Sequence, residues 1–476
     1  VAMLIGTTFA WFTDTASTGV NKIVSGNLKV DIIGENSDSH IEKLNFKKAA
    51  ATDAEAGAAI LWEPGCRYLT EGFRIANKGN LALKWKAQVN MNNIINGKVE
   101  GSTIAKDGKS LLDVIDFYVV TSTDENAEAV AIENFVGNLT AGAKSGVYYI
   151  KGVMQTTAGN DYQDLTLDGI TVTVIATQDT VENDSFGNQY DKDAEYPILV
   201  TTGDELQAIV SNATAPVNIV LANSITTNNF VIPADKDVTL DLNGRTVTNA
   251  GSHTILNKGH LTLTDSSTDK SGQIISLKGN TAALRNGDNA VCVVEGGTIS
   301  RDGANGNTWH VVENFGKMTF NGGKVVLKNG NGFAITNGWN YFDPGASTTH
   351  AVMEINALEL DTDSSGIKNC RYGDLTVNDA TVTSTGYWAL SNDYLGTAVI
   401  NGGTLTSNSF KAVSNGAAMT VNGGTFDGTE GLFLQSYATS TVLNGGTFTN
   451  MNVDALSSYV GTGHTAQQSG TSVIIK

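Results

Sequence analysis

A motif that recurs about every 22 residues constrains the fold of this 476-residue chain more than any other feature. In its clearest form the motif is Asn-Gly-Gly-Thr followed by an apolar residue. Copies of it are Glu295–Ile299, Asn321–Val325, Asn401–Leu405, Asn422–Phe426 and Asn444–Phe448, with weaker copies that start at Asn356 and Asn378. From Asn356 onward the steps are 22, 23, 21 and 22 residues. Such steps fit one coil of a parallel β-helix, in which each coil buries its apolar residues by stacking on its neighbours.

A second asparagine recurs in the same repeats. It occupies positions Asn257, Asn286, Asn314, Asn337, Asn369, Asn392 and Asn415. Asn and Gly tolerate the left-handed backbone conformation that sharp bends between short strands require. Because stacked asparagine side chains can hydrogen-bond along a stack, we expect these seven to form one ladder with a structural role.

The C-terminal part, residues 197–476, resembles a known solenoid fold. The segment Val238-Thr-Leu-Asp-Leu-Asn-Gly-Arg-Thr-Val247 is similar to the coils of right-handed β-helices in the pectate-lyase-like superfamily. The resemblance implies a right-handed parallel β-helix, and this fold specifies architecture far better than activity. The capping box Thr202-Gly-Asp-Glu205 predicts a short helix that covers the first coil.

The N-terminal part, residues 1–192, alternates apolar and polar residues with a period of two. Examples are Leu28–Ile32, Leu81–Val89 and Ile170–Ala176. This pattern is typical of half-buried antiparallel strands. The long separations between these strands favour a jelly-roll β-sandwich. The predicted fold class is therefore all-β, a jelly roll followed by a parallel β-helix.

The first twelve residues, Val1–Phe12, are the most apolar stretch of the chain. They are too few to span a bilayer as a helix, which needs about 20 residues, so we expect no transmembrane span. The stretch also fits the hydrophobic region of a signal peptide. In the folded protein it either packs into its own domain or inserts as a strand into a neighbouring copy. The donor-strand residues would be Val1, Met3, Leu4, Ile5, Phe9, Trp11 and Phe12.

Several N-terminal motifs resemble the TasA/camelysin family of secreted Gram-positive proteins. They are Gly6-Thr-Thr-Phe-Ala-Trp-Phe-Thr-Asp-Thr15, Val24–Asp31, Leu61–Gly65, Phe73–Lys84, Ala158–Gln163, Ala176–Gln178 and Asn183–Gly187. The resemblance implies a jelly-roll subunit of extracellular or surface fibres that assembles with identical subunits, head to tail, by N-terminal strand donation. Family members are often cut close to the position of Phe12, so retention of residues 1–11 departs from the pattern. Camelysin relatives have been described as metalloproteases, yet the chain has no HExxH motif, and His40 is the only histidine before residue 253.

Charge and cysteine content exclude some classes of partner. The formal net charge of −18 repels phosphate backbones, so we expect no nucleic-acid partner. Cys66, Cys292 and Cys370 are far apart and form no CxxC pattern, which favours buried free thiols over a zinc site. We expect no cofactor.

An alternative function for the β-helix is polysaccharide degradation or binding. Degradation would need clustered carboxylates and a base, and the candidate residues are Asp265, Asp269, Arg285, Asp288, Arg301, Asp302 and His310. Asp361–Gly366 resembles the opening of a calcium loop, but Tyr372 stands where such a loop needs Glu. Binding of glycans would use aromatic residues of the loops, unless these pack on the coil wall instead: Trp309, Trp339, Tyr341, Phe342, Tyr372, Tyr387, Trp388 and Tyr394. The platform selected from them is Trp309, Trp339, Tyr341 and Trp388.

From these patterns we expect a secreted, non-enzymatic filament subunit of a Gram-positive-type bacterium that displays its β-helix from a biofilm or surface fibre. The alternative is a surface-tethered β-helix that binds or degrades polysaccharide.

Overall fold

The computed structural model describes residues 27–41, 44–47, 60–91, 94–95, 98–99, 109–124, 126–167, 170–179, 195–303, 309–339 and 349–476. The protein is all-β, with 7% helix and 47% strand. Two groups of sequence-predicted site residues lie outside the described residues. They are the donor strand (Val1, Met3, Leu4, Ile5, Phe9, Trp11, Phe12) and one platform residue, Tyr341.

The described N-terminal part consists of short antiparallel strands. They are β1 Val30–Gly34, β2 Phe46–Lys47, β3 Arg67–Thr70, β4 Phe73–Asn77, β5 Leu83–Met91, β6 Ile94–Ile95, β7 Lys98–Val99, β8 Ile115–Val120, β9 Val130–Ala131, β10 Val136–Leu139, β11 Tyr149–Met154 and β12 Ile170–Gln178. Single 3-10 turns occur at Leu111–Asp113, Ile132–Asn134 and Asn160–Tyr162.

These strands form sheets of order β1-β4, β10-β5-β12 and β2-β3-β11-β8-β9, besides the small hairpin β6-β7. Alternate residues of the three larger sheets point into one apolar core, which includes Phe73, Trp85 and Ile150. Every pairing between them is antiparallel among the described residues. The alternation seen in the sequence therefore corresponds to antiparallel strands with one buried face.

From residue 198 the chain forms a parallel β-solenoid of the right-handed type with about ten turns. Each turn adds one strand to each of three sheets, which we call faces A, B and C in the order in which the chain visits them. Face A contains Ile198–Val200, Val217–Leu221, Asp237–Asp241, His260–Thr264, Val291–Val294, Lys317–Phe320, Ala351–Ile355, Gly373–Val377, Thr397–Ile400, Ala418–Val421 and Ser440–Leu443.

Face B contains Ile225–Thr227, Thr246–Asn249, Gln273–Ser276, Thr298–Asp302, Lys324–Lys328, Glu359–Thr362, Thr381–Ser384, Thr404–Ser407, Thr425–Asp427 and Gly446–Phe448. Face C contains Phe230–Ile232, Ile255–Asn257, Leu284–Asn286, Val312–Asn314, Phe333–Asn337, Ser365–Asn369, Leu390–Asn392, Val413–Asn415 and Leu432–Leu434. Because the strands pair in register, equivalent residues of successive coils lie above one another.

Inward residues of the three faces stack into one continuous apolar core. On face C the residue two positions before the end of each paired strand is apolar and buried, which gives the column Ile255, Leu284, Val312, Ile335, Ile367, Leu390, Val413 and Leu432. Because one coil has few apolar side chains, these side chains are buried only when the coil stacks on the coils above and below it.

Both ends of the solenoid are covered. The helix Gly203–Asn212 begins at Thr202, whose side chain accepts a hydrogen bond from the backbone of Glu205, as the capping-box sequence predicts. At the other end the helix Val453–Leu456, the 3-10 turn Ser457–Tyr459 and an antiparallel hairpin of Ala466–Ser469 and Ser472–Ile475 follow the last coil.

The corner between faces A and B explains the repeated Gly-Gly. The second glycine of the motif has φ of +86° at Gly297, +93° at Gly403 and +112° at Gly446, a region that L-residues with a side chain rarely adopt. At Gly403 a Cβ atom would also lie 2.6 Å from the carbonyl oxygen of Ala380. The motif therefore marks a corner that needs glycine.

Candidate functional site on face C

The seven recurring asparagines lie one above another at the downstream end of face C. Six of the seven side-chain amides donate from Nδ2 to Oδ1 of the asparagine in the next coil, and the last, Asn415, donates to Ser440 O and Thr441 Oγ1. The six bonds are Asn257 to Asn286 (2.8 Å), Asn286 to Asn314 (2.8 Å), Asn314 to Asn337 (2.7 Å), Asn337 to Asn369 (2.9 Å), Asn369 to Asn392 (2.8 Å) and Asn392 to Asn415 (2.9 Å). We call this column the inner ladder.

The inner ladder is buried, so its amides need partners for all their hydrogen atoms. The amide of Asn392 donates to the backbone oxygen of Ala418 at 2.8 Å, and the amide of Asn257 donates to Val291 O at 2.8 Å. Some side-chain oxygens also accept a backbone N–H two residues on, as Asn415 does from Ala417. The ladder therefore joins adjacent coils and holds the turn that follows face C.

A second asparagine column lies at the corner between faces A and B, and we call it the outer ladder. The spacing of the Asn-Gly-Gly motif was the available signal for it, but that spacing was used only to predict the coils and not a second ladder. Its Nδ2–Oδ1 bonds are Asn356 to Asn321 (2.9 Å), Asn378 to Asn356 (2.7 Å), Asn401 to Asn378 (2.7 Å), Asn422 to Asn401 (2.7 Å) and Asn444 to Asn422 (2.9 Å). Here each amide donates to the preceding coil, and most of the column is exposed.

Face C carries the chemically most varied outward surface of the solenoid. Its central outward column is Leu256, Arg285, Glu313, Thr336, Lys368, Ser391, Ser414 and Phe433. Aromatic rings contact the cations Arg285 and Lys368 of this column, and Lys411 at the upstream border contacts Phe433 of the column. The cation–ring distances are 4.5 Å for Arg285 and Phe315, 5.4 Å for Lys368 and Phe333, and 3.5 Å for Lys411 and Phe433.

The described tryptophans of the predicted platform lie at the borders of face C, but all three are partly covered. Trp309 donates its indole N–H to Glu313 at 2.9 Å. Trp339 packs on Phe315 with ring centroids 4.5 Å apart, and Trp388 packs on Phe410 at 4.6 Å. Trp309 and Trp388 lie on the upstream border and Trp339 on the downstream border, so they form two aromatic margins rather than one flat platform.

Tyrosines are the exposed aromatic side chains of the described solenoid, and two of them, Tyr387 and Tyr394, were among the loop aromatics that the sequence singled out. They are Tyr387 (58% exposed), Tyr394 (44%) and Tyr437 (51%). Tyr387 precedes its ladder asparagine by five residues, the same offset as Trp309, so spacing was a usable signal for it. In the coil of Tyr437 the ladder position is occupied by Leu434 instead of Asn. The offset from a ladder asparagine could therefore not be used to identify Tyr437.

A charged cluster occupies the upper part of face C. The carboxylate of Glu313 is 4% exposed and pairs with Arg285 at 2.9 Å. Burial lowers the pKa of the neighbouring imidazoles of His253 and His310, while the charge of Glu313 opposes that shift. Burial also lowers the pKa of Arg301 to about 10. These groups are arranged around one buried carboxylate, whose charge is balanced by the nearby cations.

The residues considered for catalysis do not all meet at one place: Arg285, Arg301 and His310 lie near Glu313, but the four aspartates lie elsewhere. Asp265 lies at the corner between faces A and B and accepts bonds from the backbone of Gly244 and Gly272, at 2.9 and 2.7 Å. Arg301 lies on face B and donates to Ser276 and to the carbonyl of Lys278. Asp269, Asp288 and Asp302 are exposed, while Arg285 and His310 belong to face C.

The calcium-loop resemblance also has another explanation. Asp361 pairs with Lys328 at 2.8 Å, and Asp363 accepts the backbone N–H of Gly330 at 3.3 Å. Both carboxylates therefore stabilise the face B strands and the following turn. Within the described ranges, no group of three or more His, Cys, Asp or Glu side chains is arranged to hold a metal ion.

The three cysteines are free, and Cys292 and Cys370 are buried as expected, whereas Cys66 is only half-buried. Burial raises the pKa of Cys292 and of Cys370 to about 12. Of the helices in the described part of the chain, none has the length and hydropathy to cross a membrane.

The fold and its surface define the class: a β-solenoid protein with an antiparallel β region before it. No protein-family model matches the chain, and no curated protein or solved structure matches it either.

Proposed function

We propose that this protein is the structural subunit of an extracellular bacterial filament. In this proposal the N-terminal region is a jelly roll that polymerises head to tail with identical copies, and the solenoid is displayed on the fibre. The observation that carries the proposal is the apolar segment Val1–Phe12, which precedes a region of antiparallel sheets. Strand donation into a neighbouring copy is an open, heterologous contact, and such contacts generate filaments.

The energetics of strand donation favour assembly. The six largest apolar residues of the segment are Met3, Leu4, Ile5, Phe9, Trp11 and Phe12. Burying each stabilises the complex by about 1.5–3 kcal/mol, on the order of 10 kcal/mol in total. Ordering the strand offsets part of this gain. A surplus of several kcal/mol is enough to hold subunits together at low concentration.

One of the TasA/camelysin-like motifs coincides with elements of the antiparallel region. Phe73–Lys84 covers β4 and the start of β5, and its residues Phe73, Ile75 and Leu83 belong to the apolar core. A display role for the solenoid is supported by charged residues that were considered for catalysis, because their side chains form hydrogen bonds that stabilise the solenoid itself. Asp265 holds a corner, and Arg301 bonds to neighbouring coils.

Electron microscopy of the purified full chain, together with sedimentation, tests the proposal. The full chain is expected to form fibres, and a variant without residues 1–12 is expected to stay monomeric. The double variant Phe9→Asp/Trp11→Asp is expected to behave like the deletion, because both side chains lie on one side of an extended strand. Thr8→Asp/Ala10→Asp adds the same charges on the other side and serves as the matched control. Fibres formed equally well by the deletion variant would refute strand donation.

A further inference from the structure

We propose that the C-terminal half of face C binds an uncharged polysaccharide chain, laid along the solenoid axis between Tyr387 on the upstream border and Tyr394 and Tyr437 on the downstream border. The binding surface consists of Lys368, Tyr387, Ser391, Tyr394, Lys411 and Tyr437, and we call it the tyrosine strip. This inference concerns the solenoid alone and does not rest on filament formation.

The upstream border of the strip presents a rigid aromatic ring. Tyr387 is 58% exposed and packs against Phe410, with ring centroids 5.8 Å apart. Its backbone is fixed, because its carbonyl oxygen accepts hydrogen bonds from Ser384 at 2.9 Å and Ser407 at 2.5 Å. A ring that is exposed and held in place can stack on the C–H face of a sugar with little loss of side-chain entropy.

The downstream border is formed by Tyr394 and Tyr437. Tyr437 lies over the backbone of Gly416, where an added Cβ would be 2.5 Å from the tyrosine ring. Burial and the charge of Asp393 both raise the pKa of Tyr437, so its hydroxyl stays neutral and able to donate a hydrogen bond. The two borders therefore combine apolar ring faces with phenolic hydroxyls, a combination suited to a ligand that is apolar on one face and rich in hydroxyls at its edges.

The floor between the borders is polar and nearly neutral in charge. Lys368 pairs with Asp393 at 3.2 Å, and Lys411 pairs with Glu430 at 3.1 Å. Ser391 lies between these pairs in the central column. Because the two lysines are already paired with carboxylates, an anionic polymer would gain little electrostatic binding free energy from them. The chain's formal net charge of −18 would also repel such a polymer. The charge balance therefore favours a neutral glycan.

The repeat of the solenoid also fits such a ligand. Successive coils are spaced about 4.8 Å apart along the axis, which is close to the length of one pyranose unit. A polysaccharide along the axis would therefore place successive sugars over successive coils.

Binding to immobilised and soluble glycans tests the inference, with the full chain as the sample. The neutral probes are a soluble glucan, a mannan and a galactan, and the acidic probe is polygalacturonate. We expect affinity for at least one neutral probe, measured by calorimetry or affinity electrophoresis, and weaker binding of polygalacturonate. Tyr387→Ala and Tyr437→Ala are each expected to weaken binding about tenfold. Tyr387→Phe should retain most of it, because the ring remains.

Val352→Ala and Val442→Ala are the matched controls, since both valines are exposed on face A. They should leave glycan affinity unchanged, and thermal unfolding should show that all variants are folded. Three results would overturn the inference: no binding of any neutral probe, preferential binding of polygalacturonate, or equal affinity for the wild type and the Tyr387→Ala/Tyr437→Ala double variant. None of these results depends on whether the chain forms fibres.

Discussion

The antiparallel N-terminal region and the solenoid are both β structures, but they join their strands over different distances in the sequence. In the N-terminal region β5 pairs with β12, so Leu83 lies opposite Gln178. In the solenoid Asn392 lies opposite Asn415, one coil further along. The first region depends on contacts that are distant in sequence, and the second is a series of nearest-neighbour contacts. A local defect should therefore affect the whole of the first region and only a few coils of the second.

A buried asparagine in each region illustrates the difference. In the N-terminal region Asn77 donates from Nδ2 to the backbone oxygens of Leu81 and Thr140, at 2.7 and 3.1 Å, and so joins distant segments. In the solenoid Asn392 donates only to the next coil. The same side chain thus closes a long loop in one region and adds one link to a column in the other.

The largest expected effect is that of Trp85→Ala. Trp85 is fully buried and packs on Phe135 at 4.9 Å and Tyr148 at 6.2 Å. Removing the indole should destabilise the N-terminal region by about 4 kcal/mol. Urea unfolding followed by thiol labelling measures this, because Cys66 reports on that region, while Cys292 and Cys370 report on the solenoid.

We expect Cys66 to label at lower urea in Trp85→Ala, with labelling of the two solenoid cysteines unchanged. Trp85→Phe keeps an aromatic ring in the core and should show less than half the effect. Simultaneous exposure of all three thiols would show that the two regions unfold together. This would contradict the difference that we infer between the N-terminal region and the solenoid.

Asn392→Ala should have the next largest effect. The change removes the two hydrogen bonds that Asn392 donates, to Asn415 Oδ1 and Ala418 O, and the one that it accepts from Asn369, whose amide keeps Gly373 O and Thr397 O as acceptors. We expect the free energy of unfolding to fall by about 3 kcal/mol, because buried polar groups that lose hydrogen-bond partners are costly. Hydrogen exchange should show the loss in the coils next to Asn392, and protection that is unchanged there would contradict the ladder's structural role.

Gly403→Ala should destabilise the solenoid by about 2 kcal/mol, through left-handed backbone strain and close contact with the carbonyl of Ala380. Gly463→Ala is the control for strain alone, since φ there is +87° and a Cβ would meet nothing within 4 Å. It should cost about 1 kcal/mol. Equal melting temperatures for the two variants would mean that the contact at the corner is unimportant.

Asn401→Ala should have the smallest effect. Asn401 belongs to the outer ladder, follows Asn392 by nine residues and is exposed to solvent. Because water can replace its hydrogen bonds, we expect a loss of less than about 1 kcal/mol. Thermal unfolding of Asn401→Ala and Asn392→Ala, measured in parallel, compares an exposed and a buried asparagine in the same part of the solenoid. Equal losses of stability in the two variants would contradict the role that we assign to burial.

The parts of the fold that the sequence predicted are those with local repetition. The recurring asparagines predicted the coils, because a constant step places equivalent residues above one another. Alternation predicted strands at Leu81–Val89 and Ile170–Ala176, and the observed strands are Leu83–Met91 and Ile170–Gln178. The order of strands in the N-terminal sheets was not predictable, because it depends on pairings between distant segments that leave no repeated pattern.

The surface of face C was only partly predictable. Trp309 and Trp388 were chosen as loop aromatics that precede a ladder asparagine by similar distances, but large rings near a coil are stabilised by packing on it, and both are partly covered. The exposed rings are tyrosines, whose hydroxyl tolerates contact with water. Which residues lie next to each other on a face depends on the register of the strands in three dimensions. Inserted loops change the number of residues per coil, so this register cannot be read from sequence spacing alone.

Cross-linking from residue 9 tests the central claim about assembly most directly. A photoreactive phenylalanine analogue replaces Phe9 in the full chain, and ¹⁴N- and ¹⁵N-labelled protein are mixed before assembly and irradiation. The account predicts cross-linked peptides that combine both isotopes, with the partner peptide in the antiparallel region, residues 27–179. Cross-links that always join two peptides of the same isotope would place the segment within its own subunit and contradict strand donation.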